Sequence, residues 1–413
     1  MDSGEIWRLD NEFDFDGGEQ VLYALFGEDL GDDLDDLDGE GGWDDDDILP
    51  LHSAAADGDQ RALKEMLEYG THADTLDASS HTAIMHAAIN KQHKAIDLLI
   101  KWGANTHLRD ENGRSALVWA AYTAAPRCVK LLLAKDSSML GVADNSGRTA
   151  LHWSTRLPNV GCINALTQAA PPAIIDSQDK TGASALHWSV LYDRPRHCAR
   201  LLKCGSNASL KDDQGRTAAH YAVSDSRVGC LEHILKVAGH LVGVADDEGR
   251  TLLHLAANAE MSIECGVEIL RYQADIDLNA ADVKGATPLH WAAVSNNPDY
   301  CSLLVQYGAL LEIRDSTGNT PFDYASARGY AGCAEALQKL LQNPMANVTG
   351  AGGVQELDGP RASFGPGGSA AQRRGSSWTN KKGAVQLRRT SQSGPGMVQP
   401  VGGRRESQAC LIM

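Results

Sequence analysis

The 413-residue sequence has no uninterrupted apolar run of 18 residues, so no membrane-crossing helix is expected. It has no C-x-x-C pair and no zinc-type Cys/His spacing among its nine cysteines, which are scattered singly from Cys128 to Cys410. They read as reduced, buried, small apolar residues of a cytosolic protein, and neither a disulfide framework nor a metal-ligand set is expected. The start, Met1-Asp-Ser-Gly-Glu, lacks a basic segment followed by an apolar one and does not read as a secretory signal. G-x-S-x-G, G-x-x-x-x-G-K-[ST] and H-E-x-x-H are all missing. No nucleophile with a base and an orienting group can be assembled, so no enzyme, no catalytic residue and no cofactor is expected. Surplus positive charge is lacking as well. The 37 Lys+Arg against 54 Asp+Glu leave −17, which argues against nucleic acid as a partner.

That charge is unevenly placed. Residues 1–50 hold 19 acidic side chains and one basic one, Arg8, whereas residues 343–413 hold nine basic and three acidic. The segments therefore carry −18 and +6, and the middle of the chain only −5. The expected division is an acidic arm at 1–46, a folded domain at 47–342 and a Gly/Ser/Arg-rich tail at 343–413.

The middle is a repeat array. Arg148-Thr-Ala-Leu-His-Trp-Ser, Ser184-Ala-Leu-His-Trp-Ser, Arg216-Thr-Ala-Ala-His-Tyr-Ala, Arg250-Thr-Leu-Leu-His-Leu-Ala and Ala286-Thr-Pro-Leu-His-Trp-Ala are near copies. One register position runs through His52, Met85, Val118, His152, His187, His220, His254, His290 and Asp323, at spacings of 33 to 36 residues. Each copy begins with a D-x-x-G turn, as at Asp144–Gly147, where Asp bonds its own backbone and Gly takes positive φ. Thr or Ser then caps a short helix (Thr149, Ser184, Thr217, Thr251, Thr287, Thr320). A second, apolar helix follows, often opened by Pro, as at Pro126, Pro158, Pro195 and Pro298, and ended by Gly-Ala or Gly-Ser, as at Gly103, Gly205 and Gly308.

This pattern resembles the ankyrin repeat over roughly residues 47–342. The resemblance implies an all-α solenoid of about nine helix-turn-helix repeats with hairpin tips, in which stacking buries a continuous core. Repeat one and repeat nine, Leu49-Pro-Leu-His and Thr320-Pro-Phe-Asp, depart from the pattern as capping repeats should. The H-W-[SA] pairs and Pro-started second helices are most similar to inversin and its relatives, which are ciliary and signalling scaffolds. No calmodulin-type IQ segment follows the repeats, so that part of the resemblance is not carried over. The resemblance gives the repeated His the role of a buried tie to turn backbone of its own or the next repeat. Those residues are one per repeat and never converge as metal ligands must. Trp119, Trp153, Trp188 and Trp291 share one position, read either as packing between first helices or as an aromatic recognition stripe. Ankyrin arrays bind proteins with their tips and first helices. Arg114, Arg148, Arg216 and Arg250, just after the turn Gly, form a candidate row for a protein partner with spaced carboxylates. Tyr122, Arg156, Tyr192 and Asp225 are expected on the adjacent exposed helix ends.

The arms differ in chemistry. The first mixes acid with six aromatics, and Leu22, Leu25, Phe26 and Leu30 fall on one helical face. Four readings stay open: a helix that docks in a partner's groove, an acidic activation-like segment of a nuclear co-regulator, docking of the arm on the Arg row, or a solubilising disordered tail. The last segment is expected to be disordered and ends Cys410-Leu-Ile-Met413, a C-a-a-X box whose Met favours farnesyl on Cys410. One lipid binds membrane only marginally. The pairs Arg373-Arg374, Lys381-Lys382, Arg388-Arg389 and Arg404-Arg405 supply a second signal toward an anionic leaflet, worth about 1 kcal/mol per residue. Three R-R-x-S matches place Ser376, Ser391 and Ser407 as sites for a basophilic kinase. Three phosphates would add about −4.5 to −6 and nearly cancel the tail's charge. The expected reading is a cytoplasmic adaptor, peripheral to membrane through its lipid, with a prenyltransferase and a kinase as modifying enzymes. The cilium rests on the inversin resemblance alone.

Overall fold

In a computed structural model, residues 49–257, 263–272 and 276–342 are described. The acidic arm and the tail, with Cys410, Ser376, Ser391 and Ser407, lie outside them. Among the described residues there are nine successive helix pairs and no sheet. The first two pairs are α1 (Pro50–Asp57) with α2 (Gln60–Glu68) and α3 (Ala83–Ile89) with α4 (His93–Lys101). Then come α5 (Ala116–Tyr122) with α6 (Pro126–Lys135) and α7 (Ala150–Trp153) with α8 (Val160–Ala169). A one-turn helix, α9 (Pro172–Ile175), precedes α10 (Ala185–Leu191) and α11 (Pro195–Lys203). The last four pairs are α12 (Ala218–Ser224) with α13 (Val228–Val237), α14 (Leu252–Leu255) with α15 (Ile263–Leu270), α16 (Pro288–Val294) with α17 (Pro298–Gln306), and α18 (Pro321–Ala327) with α19 (Ala331–Gln342). The all-α repeat architecture expected from the sequence is the one observed.

Two columns of side chains stack the repeats. On the second helices, Leu99, Leu132, Leu166, Leu201, Ile234, Ile269, Leu304 and Leu337 occupy one register position, and every one is fully buried. Truncating any of them to Ala would cost about 2–5 kcal/mol. On the first helices the equivalent column is small: Ala87, Ala120, Ser154, Ser189, Ala222, Ala256, Ala292 and Ala325, all buried. Small residues let neighbouring first helices approach closely, which accounts for the third letter of the H-W-[SA] pattern. Cys128, Cys162, Cys198, Cys230, Cys265, Cys301 and Cys333, one per second helix from α6 onward, are likewise buried and free.

The spacing of 33 residues stretches where a short turn replaces the plain Gly ending. A 3₁₀ turn at Ser137–Gly141 follows α6, α9 follows α8, and a 3₁₀ turn at Gly239–Gly243 follows α13. These extra residues are the origin of the 34- and 35-residue steps. Pro126, Pro195 and Pro298 open their helices as expected, but Pro158 does not. It lies before α8, whose cap is Asn159, with Oδ1 accepting from the Gly161 N–H at 2.8 Å.

His152, His187, His254 and His290 are the expected ties. Nδ1 of His152 accepts from the Thr149 N–H at 3.1 Å, so Nε2 carries the proton and donates to the Ala183 carbonyl of the next repeat at 3.2 Å. His187 reaches the Arg216 carbonyl, His254 that of Ala286, and His290 that of Asn319. The tips are linked too. The N–H groups of Asn145, Lys180, Asp213, Asp247, Val283 and Ser316 donate to the carbonyls of Asn112, Ser146, Thr181, Gln214, Glu248 and Lys284, at 2.9–3.1 Å. This close approach needs the turn glycine. Gly215 has φ 73°, and a Cβ there would stand 2.7 Å from the Asp247 nitrogen. Gly215→Ala should therefore destabilise the array by about 1–3 kcal/mol in denaturant unfolding. An unchanged midpoint would show that the tip relaxes freely.

Burial holds His187 and His220 neutral, with pKa values pushed down to about 4. Above about pH 6.5 these imidazoles are neutral whether the chain is folded or not, and they add no pH dependence. Below it the unfolded chain takes up protons that the folded chain refuses, so stability falls until about pH 4. The melting temperature should drop across that window, and a flat profile would contradict the tie. Asp212 contributes lower down. Burial works to raise its pKa, but the hydrogen bond from Tyr221 and the charge of Arg216 hold it below the carboxylate range, so its share is lost only as pH falls past that range.

Candidate functional site

The face formed by tips and first helices is built around the turn aspartate. In repeat four, Asp144 Oδ1 accepts from the N–H groups of Ser146 and Arg148 at 3.0 and 2.8 Å, closing the tip. Its Oδ2 accepts from Trp153 Nε1 at 2.8 Å, nine residues on in α7. The same tie joins Asp110 to Trp119, Asp179 to Trp188 and Asp282 to Trp291 at 2.9 Å, and Asp212 to the Tyr221 hydroxyl at 2.7 Å. Tyr324 supplies the donor for Asp315, and His86 for Asp77 at 2.6 Å. In repeat seven the position is Leu255, which has no donor. There Arg250 Nε takes over, 2.8 Å from Asp246 Oδ2. The four tryptophans are thus buried ties, at most 8 % exposed, and not an open aromatic stripe. The signal was present in the sequence as an Asp followed nine residues later by Trp, Tyr or His, but a separation of nine matches neither helical nor strand periodicity.

The arginine row lies over these rings. Arg114 sits 5.1 Å from the Trp119 ring centre and 5.5 Å from that of Trp153. Arg148 sits 5.4 Å from Trp153 and 4.9 Å from Trp188. Each guanidinium therefore bridges its own repeat to the next, a cation–π contact worth about 0.5–2 kcal/mol. Arg216 lies over Tyr221 and pairs with Asp212 at 2.9 Å; Arg250 pairs with both Asp246 and Glu248, the latter at 3.1 Å. The four arginines lie at equivalent places, but most of each side chain is engaged within the fold, and Arg148 and Arg216 are buried rather than open to a partner. Tyr122, expected at an exposed helix end, is buried at 8 % because Arg156 lies over its ring, 4.6 Å from the centre, and Trp119 and Trp153 flank it. Arg156, Tyr192 and Asp225 are half-buried.

What remains open to a partner is the line of tips. Glu111, Asn145, Lys180, Asp213, Asp247, Glu248, Val283 and Lys284 are exposed there. Both charge signs occur, and Val283, 71 % exposed, is an apolar point among them that sequence reasoning missed. No helix among the described residues is long and apolar enough to cross a membrane.

Asp144→Asn tests the tie. The variant keeps one acceptor oxygen for the tip but sets an amide N–H₂ against the Trp153 N–H. It should cost about 1–3 kcal/mol, read as faster amide hydrogen exchange in the tip and α7. Unaltered exchange would mean that the indole bond is not structural.

The model of the family described as "Ankyrin repeats (3 copies)" matches in overlapping windows from residue 20 to residue 349. Inversin of Mus musculus is 33 % identical over 213 residues, covering 50 % of this chain and 20 % of inversin. Neurogenic locus notch homolog protein 1 of Homo sapiens is 33 % identical over 197 residues, 48 % of this chain and 6 % of that protein. The Nuclear factor NF-kappa-B p105 subunit of Gallus gallus is 28 % identical over 224 residues, 52 % of this chain and 22 % of the relative. Among solved structures, the ankyrin repeat domain of Bcl-3 is 23 % identical with a TM-score of 0.48, covering 54 % of this chain and 98 % of that one. The chain thus spans less than a quarter of the length of each of these sequence relatives. With the family model matched across well over half of its length, and with nine successive helix pairs, five of them capped by Thr or Ser with His three residues on, this chain belongs to the ankyrin-repeat family.

Proposed function

We propose that this ankyrin-repeat protein is a non-enzymatic adaptor that holds a protein ligand along its tips and carries it to a membrane. The observation that carries the first half is the continuous ladder of tips, whose backbone is spent on inter-repeat bonds while its side chains face outward. Such a surface recognises another folded or extended chain rather than transforming a small molecule. Of the arginine row, the half-buried Arg114 and Arg250, set between the acidic and basic tip residues, are the proposed contacts for partner carboxylates, whereas Arg148 and Arg216 are buried.

The second half rests on the tail. The division into an acidic arm (1–46), a repeat domain (47–342) and a basic tail (343–413) is part of the proposal. Farnesyl on Cys410 and the neighbouring Arg404 and Arg405 would give reversible attachment to an anionic leaflet. Phosphorylation of Ser376, Ser391 and Ser407 would weaken it by charge. The similarity to inversin supports a scaffold in cytoplasm or cilium. The alternative is a soluble or nuclear co-regulator acting through the acidic arm, supported by that arm's mixture of acid and aromatic residues.

Fractionation separates the two. Wild type should partition partly with membranes, Cys410→Ser should be soluble, and Ser→Asp at 376, 391 and 407 should shift the wild type toward the soluble pool. Identical partition of all three would sink the anchor. Pull-down with the full chain and with residues 47–342 should recover a common set of partners if the repeats hold the ligand.

A further inference from the structure

Repeat two breaks the rule that the other tips follow. Where repeat three has Arg114 and Trp119, repeat two has His81 and His86, at the same offsets from the turn aspartate, Asp77. The change replaces a permanently charged side chain and an indole by two imidazoles, which offer ring-nitrogen lone pairs. His86 Nε2 lies 2.6 Å from Asp77 Oδ2, and His81 Nδ1 lies 3.8 Å from the same oxygen. One donor atom from each of the three residues falls within 4.8 Å of the others. His81 is 6 % exposed and His86 3 %.

We propose that Asp77, His81 and His86 form a zinc site in the second repeat. Two imidazole nitrogens and a carboxylate oxygen are a zinc donor set and disfavour magnesium and calcium, which take oxygen. Ligands at 2.0–2.2 Å in a tetrahedron stand about 3.3 Å apart. The 2.6 Å pair therefore opens and the 3.8 Å pair closes, each by less than about 1 Å, and the two imidazoles, whose donor atoms lie within 4.8 Å of each other, draw together around the ion.

The surroundings set the ring orientations. His81 Nε2 faces Asp110 Oδ2 at 3.5 Å, on the side of the ring away from Nδ1. A proton held on Nε2 by that carboxylate leaves the Nδ1 lone pair for a metal, the carboxylate–histidine–metal arrangement that raises ligand basicity. His52 Nε2 lies 3.2 Å from the His81 carbonyl and 3.0 Å from that of Thr75, and its ring meets His86 edge-on at 5.3 Å. It is a positioning residue for the tip that carries His81. Among the described residues no other group of three such donors converges, whereas Nε2 of His152, His187, His254 and His290 is consumed by a backbone carbonyl.

The test uses the full chain, stripped with chelator and titrated with ZnCl₂, with MgCl₂ as control. Calorimetry should show one site that raises the melting temperature. Co²⁺ in its place should give visible d–d absorption without a thiolate charge-transfer band, since no cysteine takes part. His86→Trp and, separately, His81→Arg install the residues that repeat three uses, so both should fold with wild-type circular dichroism. Each should bind zinc at least tenfold more weakly and lose the cobalt spectrum. Equal affinity in wild type and variants, a thiolate band, or no zinc binding at all would overturn the site and leave a buried imidazole–carboxylate cluster only. None of these readouts depends on the protein-binding reading.

Discussion

The aspartate of the D-x-x-G turn is the constraint on which the rest of the array depends. A carboxylate has two oxygens that accept in different directions, and this one uses both. Asp144 Oδ1 takes the backbone N–H groups of its own tip, and Oδ2 takes the Trp153 indole of the helix that follows. The tip is thereby held at a fixed angle to the first helix. The next tip bonds to it through backbone, so the angle is passed along the chain. A solenoid has only nearest-neighbour contacts, and an error at one tip is not averaged out by distant packing. The His ties act in parallel, from the helix of one repeat to the turn of the next.

The variations show that the carboxylate's second oxygen must be met, not that Trp must meet it. Tyr221, Tyr324, His86 and Arg250 all do so from different scaffolds. A buried carboxylate oxygen with no donor would cost several kcal/mol, which is a stronger demand than any aromatic preference. Arginines stacked on the rings serve the same economy. Their charge is met by ring faces or by Asp212, Asp246 and Glu248, which keeps cations close to buried indoles. The side chains left exposed on this face are those of the tips.

Much of this was legible from one chain. Nine copies in register gave the solenoid, the caps and the second helices, because one local solution recurs and each copy confirms the others. The misplacement of Pro158 came from transferring that rule to a repeat in which Asn159 provides the cap. Tyr122 was misjudged because its helix end is covered by Arg156 from the following repeat, a contact between side chains 34 positions apart. His81 and His86 stand four residues before and one after Met85, which holds the repeated histidine position in repeat two, so the T-x-x-H register does not pick them out.

The sequence by itself determined the repeat length, the fold class, the turn and cap chemistry and the charge of the two arms. Each follows from local rules that act within a few residues: φ at Gly, an oxygen for a free N–H, the periodicity of a helix. Only the tertiary structure decided which polar groups are spent. The nine-residue step from Asp to its donor, the arginines lying across two repeats and the meeting of Asp77 with His81 and His86 depend on how the tip folds back over its helix and on the neighbour stacked beside it. A linear pattern carries no record of that geometry.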